Sequence, residues 1–253
     1  MHRFALPAAL LLSCALAPAA LAQALQDRFP GADTLKPGPP PISEQPAKPA
    51  PQAKPNTAQA RERPAARAAT AAPAAGQTTL ACNGSFAKDS THEKLEAAFG
   101  AKNVAWEDVD GPGGSRLKAT VLFPNDPKRR LEVVWTKPDT RTDMQVIAIN
   151  GQSAWSAPKG LKLGMPLAAV EKLNGKPFRM TGFEKENGGM VQSWEGGALS
   201  ELPGGCRVAL RFEPDSRISP EVRRDVAVSR EFDSNDTAMK KAVPKVVEIL
   251  VGY

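Results

Sequence analysis

Short runs of β-branched and aromatic residues dominate the chain beyond residue 100, each closed by Pro, Gly, Asn or Asp. Arg116 to Phe123 leads through Pro124-Asn125-Asp126-Pro127 into Arg130 to Trp135, a pattern that predicts a hairpin with its turn chemistry in place. Met144 to Ile149 predicts a third strand, ended by Asn150-Gly151. Met190 to Trp194, Arg207 to Phe212, Arg224 to Ser229 and Val246 to Val251 read as further strands. Helical spacing is scarce. It predicts one helix from Pro166 to Asn174, with Pro166 at the first helical position and Gly175 just past the end. A second runs from Thr91 to Phe99, where Ser90 and Glu93 have capping-box spacing and Gly100 closes the helix. A third, short helix follows Ser234-Asn235-Asp236 to about Lys241.

The first two helices end on glycines 75 residues apart, Gly100 and Gly175, and each is followed by strands. The expected fold class is therefore α+β: two tandem units of a short helix packed on an antiparallel sheet, over about 85–150 and 160–253. A single α+β sheet carrying two unrelated helices is the other reading. Leu163-Gly164-Met165-Pro166, then Val170, then Leu173-Asn174-Gly175-Lys176-Pro177, resembles the signature of a superfamily. It holds the SmpA/OmlA-type lipoproteins of the outer-membrane β-barrel assembly machinery and the β-lactamase-inhibitor proteins. The resemblance covers about sixteen residues of the second unit; in the first, Asp89-Ser90 stands in place of Gly-Met, and Asn174 stands where leucine is usual. It implies short helices on an antiparallel sheet, an exported location, and protein or envelope binding without catalysis.

The start of the chain adds a destination. A basic opening with Arg3, an apolar run from Phe4 to about Ala17 and the small-residue exit Ala20-Leu21-Ala22 have the layout of a secretory signal peptide over residues 1–22. The run is too short to span a bilayer, and no other stretch approaches such a length. Leu11-Leu12-Ser13-Cys14 loosely matches a lipobox; cleavage after Ala22 is favoured over lipidation of Cys14, which would tether the domain to a membrane. Residues 23–77 are rich in Pro and Ala and lack apolar periodicity, so they are expected to form a disordered tether. The α+β domain then occupies residues 78–253.

Charge and candidate chemistry narrow the function by exclusion. The chain's net charge of +6 divides into +3 on the tether, +1 from Arg3 and only +2 on the domain. That is no nucleic-acid footprint. Cys82 and Cys206 form an even pair, which in an oxidising compartment suggests a disulfide; two buried free thiols are the alternative. GLKLGMP has no phosphate-loop spacing. His92 is expected on a solvated helix surface, and Asp108-Val109-Asp110-Gly111 is better read as a hairpin turn than a calcium loop, with Pro112 where a third oxygen ligand belongs. No metal or cofactor is expected. Glu184, Glu186 and Glu195 flank a glycine-rich hairpin and could face one another as a hydrolytic carboxylate pair. Trp155, Phe183 and Trp194 are the candidate aromatic anchors of a protein-binding surface, with packing in the core as the alternative. The expectation is an exported, non-catalytic binding module of the bacterial periplasm or cell envelope, periplasmic, secreted or lipid-anchored, with a protein or envelope component as partner. A carboxylate-dependent hydrolase of an envelope polymer and a membrane-tethered structural lipoprotein are the alternatives.

Overall fold

The computed structural model describes residues 78–184 and 188–253. The signal-like segment, Cys14, the Pro/Ala-rich tether and Glu186 lie outside the described residues. In chain order, helix α1 (His92–Phe99) precedes the strands β1 (Val104–Asp110), β2 (Arg116–Leu122), β3 (Leu131–Lys137) and β4 (Thr142–Ile149). A two-residue ribbon follows, β5 (Ser156–Ala157) with β6 (Leu161–Lys162), then α2 (Leu167–Asn174). The remainder holds β7 (Arg179–Thr181), β8 (Val191–Ser193), β9 (Arg207–Glu213), α3 (Pro220–Val226), β10 (Glu231–Asp233), α4 (Thr237–Ala242) and β11 (Lys245–Gly252).

The fold is α+β. Its centre is a six-stranded antiparallel sheet ordered β1-β2-β3-β4-β11-β9, with a three-stranded sheet ordered β10-β7-β8 beside it. Both halves place a short helix against antiparallel strands, and both helices end on a positive-φ glycine: Gly100 at 85° and Gly175 at 80°. The halves are not separate bodies, however. β11 pairs with β4 from Ile249↔Ile149 to Gly252↔Val146, so one sheet runs through both. The first half supplies four consecutive strands of it and the second only two.

The core lies on one face of this sheet. Val133, Trp135, Ile147, Ile149, Leu210, Phe212 and Ile249 project onto it and meet Leu95 of α1, Leu167 and Val170 of α2, and Met239 of α4. Period-2 alternation places these residues on one side, and bulges near Trp135 and between Val246 and Glu248 keep it in phase. Each such side chain contributes about 1.5–3 kcal/mol when taken fully out of water.

Several local expectations are corrected. Thr91, not Ser90, caps α1: its hydroxyl accepts from Lys94 N at 3.1 Å, while the Ser90 hydroxyl donates to Ser85 O. Pro166 has ψ 151°, so it sits before the first turn of α2 as the cap residue and not inside it. The strand expected over Arg224 to Ser229 is instead the end of α3, to Val226, and the bend that follows it. Ser219 accepts from Val222 N and Pro220 occupies the first turn, so the helix start signal outweighs the alternation of Val226 and Val228. β1 was not expected as a strand, because Glu107, Asp108 and Asp110 gave it the composition of a turn. The β1–β2 turn lies at Gly111 to Ser115, and Asp108 to Asp110, read as part of a hairpin turn, belong instead to β1. Across that hairpin Asp110 pairs with Arg116 and Asp108 with Lys118, so neither carboxylate is arranged as part of a calcium loop.

Candidate binding cleft

The Gly-Met-Pro motif is held by backbone bonds to the start of β11. Gly164 N donates to Val246 O, Val246 N to Met165 O, and Leu167 N to Pro244 O, all within 2.8–2.9 Å. Gly164 has φ 79°, a conformation that gives the chain the reversal it needs to run alongside residues 244–246. This fixes the first turn of α2 beside the end of α4 and leaves a cleft of about 140 Å³ between them. Its apolar lining is Pro166, Leu167, Ala168, Met239, Val243 and Pro244. Glu171, Ser234 and Lys240 supply the polar part. An apolar cavity of about 150 Å³ is large enough for a benzene ring, so this cleft has room for one aliphatic or aromatic side chain.

The polar edge is preorganised. Ser234 is buried; its hydroxyl accepts from Phe178 N at 3.0 Å and donates to Glu171 Oε2 at 2.5 Å. Buried, with its proton given to Glu171 and one lone pair to Phe178 N, Ser234 joins the two elements in a fixed geometry. It holds Glu171 in place, and Lys240, from the last turn of α4, adds a cation to the same lining.

Val243 is the unusual residue. It is 48% exposed, the one large hydrophobic residue so placed among the described residues, and it adopts φ 45°, ψ 50°. A β-branched side chain in the left-handed region is strained, and glycine or asparagine normally ends a helix there. Val243→Gly should therefore stabilise the fold by about 1 kcal/mol, read as a higher urea midpoint at unchanged slope. A strained, exposed apolar residue at a cleft mouth is a stability loss that the fold offsets elsewhere.

The residues singled out from sequence are distributed differently. Trp155 is 1% exposed, packs edge-on against Phe86 and Phe99, and donates its indole N–H to Arg129 O at 2.7 Å. It is a core residue, which corrects its reading as a surface anchor: the polar loop around it folds inward. Trp194 is half-buried against Phe178 and donates to Val208 O; Phe183 is half-buried where the β7–β8 connection folds over Gly189. The ring partners of Trp155 and Trp194 are different, so the structure does not assemble these aromatics into one patch. Glu184 and Glu195 are exposed at opposite ends of the β7–β8 hairpin, since Thr181 meets Met190 near one end and Arg179 pairs with Ser193 at the other. They do not face one another. Cys82 and Cys206 are bridged.

Two residues carry roles that the sequence did not suggest. Asn174 is buried at the end of α2; its amide donates to Lys176 O and Trp194 O at 3.0 Å, and its carbonyl accepts from Leu199 N. Gly197 passes so close that an added Cβ would lie 2.2 Å from Asn174 Oδ1. Asparagine thus ties the 194–199 loop to the motif. Asn174→Leu should cost about 2–3 kcal/mol, because buried backbone groups lose their partners; a chemical denaturation midpoint measures it. The second residue, His92, is 5% exposed, where a solvated helix position was expected. Nothing in a single histidine's sequence context marks that difference.

Among the described residues, no group of three or more His, Cys, Asp or Glu side chains is placed to hold a metal ion. No family model, curated protein or solved structure matches this chain.

Proposed function

We propose that this chain is an exported, non-catalytic binding module of the bacterial periplasm or cell envelope, and that the α2–α4 cleft receives an apolar side chain of a protein partner. The observation that carries the reading is Val243, exposed and strained at the mouth of a preorganised cleft. The signal-like start, the Cys82–Cys206 bridge and the lack, among the described residues, of a helix long and apolar enough to cross a membrane are compatible with export. Of the Gly-Met-Pro motif, Pro166 lines this cleft, while Gly164 and Met165 bond to Val246 beside it.

The test is site-specific photo-crosslinking from position 243 in envelope extract, with an Ala168→Trp variant that fills the cleft. A discrete adduct lost in Ala168→Trp, at unchanged thermal stability, supports the reading. An adduct equally strong in both, or none at any tested concentration, overturns it. Intact mass of the exported form decides between cleavage after Ala22 and lipidation of Cys14.

A further inference from the structure

His92 occupies the first turn of α1, and four elements meet around it. Its Nδ1 lies 2.8 Å from Thr120 Oγ1 on β2, and its Nε2 lies 3.4 Å from Glu96 Oε1, one turn along α1. The Trp135 indole on β3 donates to the same Thr120 oxygen at 2.8 Å. The Trp106 ring of β1 stands edge-on at 6.4 Å, and Arg141, from the β3–β4 turn, lies over the Trp106 ring and accepts His92 N through its carbonyl. The charged groups acting on the imidazole are therefore Arg141, Glu96 and Glu93. Thr120 is fully buried.

The donor inventory gives this chain a direction. An indole N–H only donates, so Thr120 accepts from Trp135. A carboxylate only accepts, so the neutral imidazole carries its proton on Nε2, toward Glu96. Nδ1 is then an acceptor, and the Thr120 hydroxyl donates its proton to it. In this neutral state the Trp135 indole, the Thr120 hydroxyl and His92 Nδ1 each have a hydrogen-bond partner, and the Nε2–H faces Glu96.

We propose that this hydrogen-bond chain is a proton-sensitive latch that fixes the start of α1 to the sheet while His92 is neutral and loosens it when His92 takes up a proton. A proton on Nδ1 turns that atom into a donor. The Thr120 hydroxyl must then accept twice, and its own hydrogen is left in a buried site without the partner it had. The new charge also sits at the positive end of α1 and near Arg141. Glu96 and Glu93 favour the charged form, but burial and Arg141 prevail, and the imidazole is held below its ordinary value of 6.5. The unfolded chain takes up this proton near the ordinary value and the folded chain only at lower pH. The latch is complete above about pH 6.5 and weakens as the pH falls toward the folded value.

Nitrogen-15 NMR on the full chain tests this, with His92→Gln used to assign the ring signals, since the only other histidine is His2. The expected result is a neutral ring protonated on Nε2, a titration midpoint below 6.5, and a Trp135 indole shift that moves with the same midpoint. Amide exchange over residues 92–96, corrected for its intrinsic pH dependence, should be about tenfold faster at about pH 5 than at about pH 7.5, a difference lost in His92→Gln. An Nδ1-protonated ring, a midpoint at or above 6.5, or a Trp135 signal that ignores the titration overturns the latch. Should His92→Gln fail to fold, tautomer and Trp135 shift on the unaltered chain decide alone.

Discussion

A Cys82→Ala, Cys206→Ala variant is expected to lose about 5 kcal/mol of stability, the largest single effect in the molecule. The bridge spans 124 residues of sequence, and closing so long a loop removes much of the freedom of the unfolded chain. It joins the segment before α1 to the residues just before β9, so it ties the first half to the second beside the end of the sheet where Arg207 pairs with Gly252. Gly204 packs its backbone on this corner so tightly that an added Cβ would lie 2.3 Å from Cys82 O. Urea titration of the oxidised, reduced and double-alanine forms is the measurement. Reduced and double-alanine forms should agree within about 1 kcal/mol, and both should show a larger slope as the unfolded state expands. A loss below about 1 kcal/mol would show that the unfolded chain is already confined near these residues.

Trp155→Ala comes next, with an expected loss of about 3–5 kcal/mol. The indole fills the space between Phe86 and Phe99, and its removal also leaves Arg129 O without a donor. The effect should fall entirely on the folding midpoint. At a temperature where the variant is folded, crosslinking from position 243 should match the unaltered chain. Adduct loss in the folded variant would return Trp155 to the role of a binding residue that its polar loop suggested.

The contrast between these two predictions shows what the sequence carried. The disulfide, the β2–β3 hairpin and both glycine-closed helices were legible because each depends on local chemistry: a cysteine pair, a Pro-Asn-Asp turn, a left-handed stop. β1 was not, because its carboxylates find cations on β2 only after the hairpin has formed. Trp155 looked exposed because its neighbours are polar, but Ser153 donates to Arg130 O and so turns the loop inward. The cleft was invisible for a different reason. It lies between α2 and α4, some seventy residues apart, and its mouth is set by one backbone conformation at Val243 that side-chain pattern does not encode. His92 likewise needed Thr120 and Trp135, each from another strand, to become a buried residue.

The place of β11 in the sheet sets the order of assembly. β1 to β4 form an uninterrupted meander of neighbours in sequence, but the fifth position is filled by residues 245–252 and the sixth by residues 207–213. Until residues 245–252 emerge, β4 offers an open edge and β9 has no partner through which to join it. The main sheet therefore stays unfinished until residues 245–252 are available to pair. Assembly is slow by topology, since the contacts that complete the sheet link distant residues. A strand synthesised late and inserted centrally is thus a timer for folding as well as a structural seam.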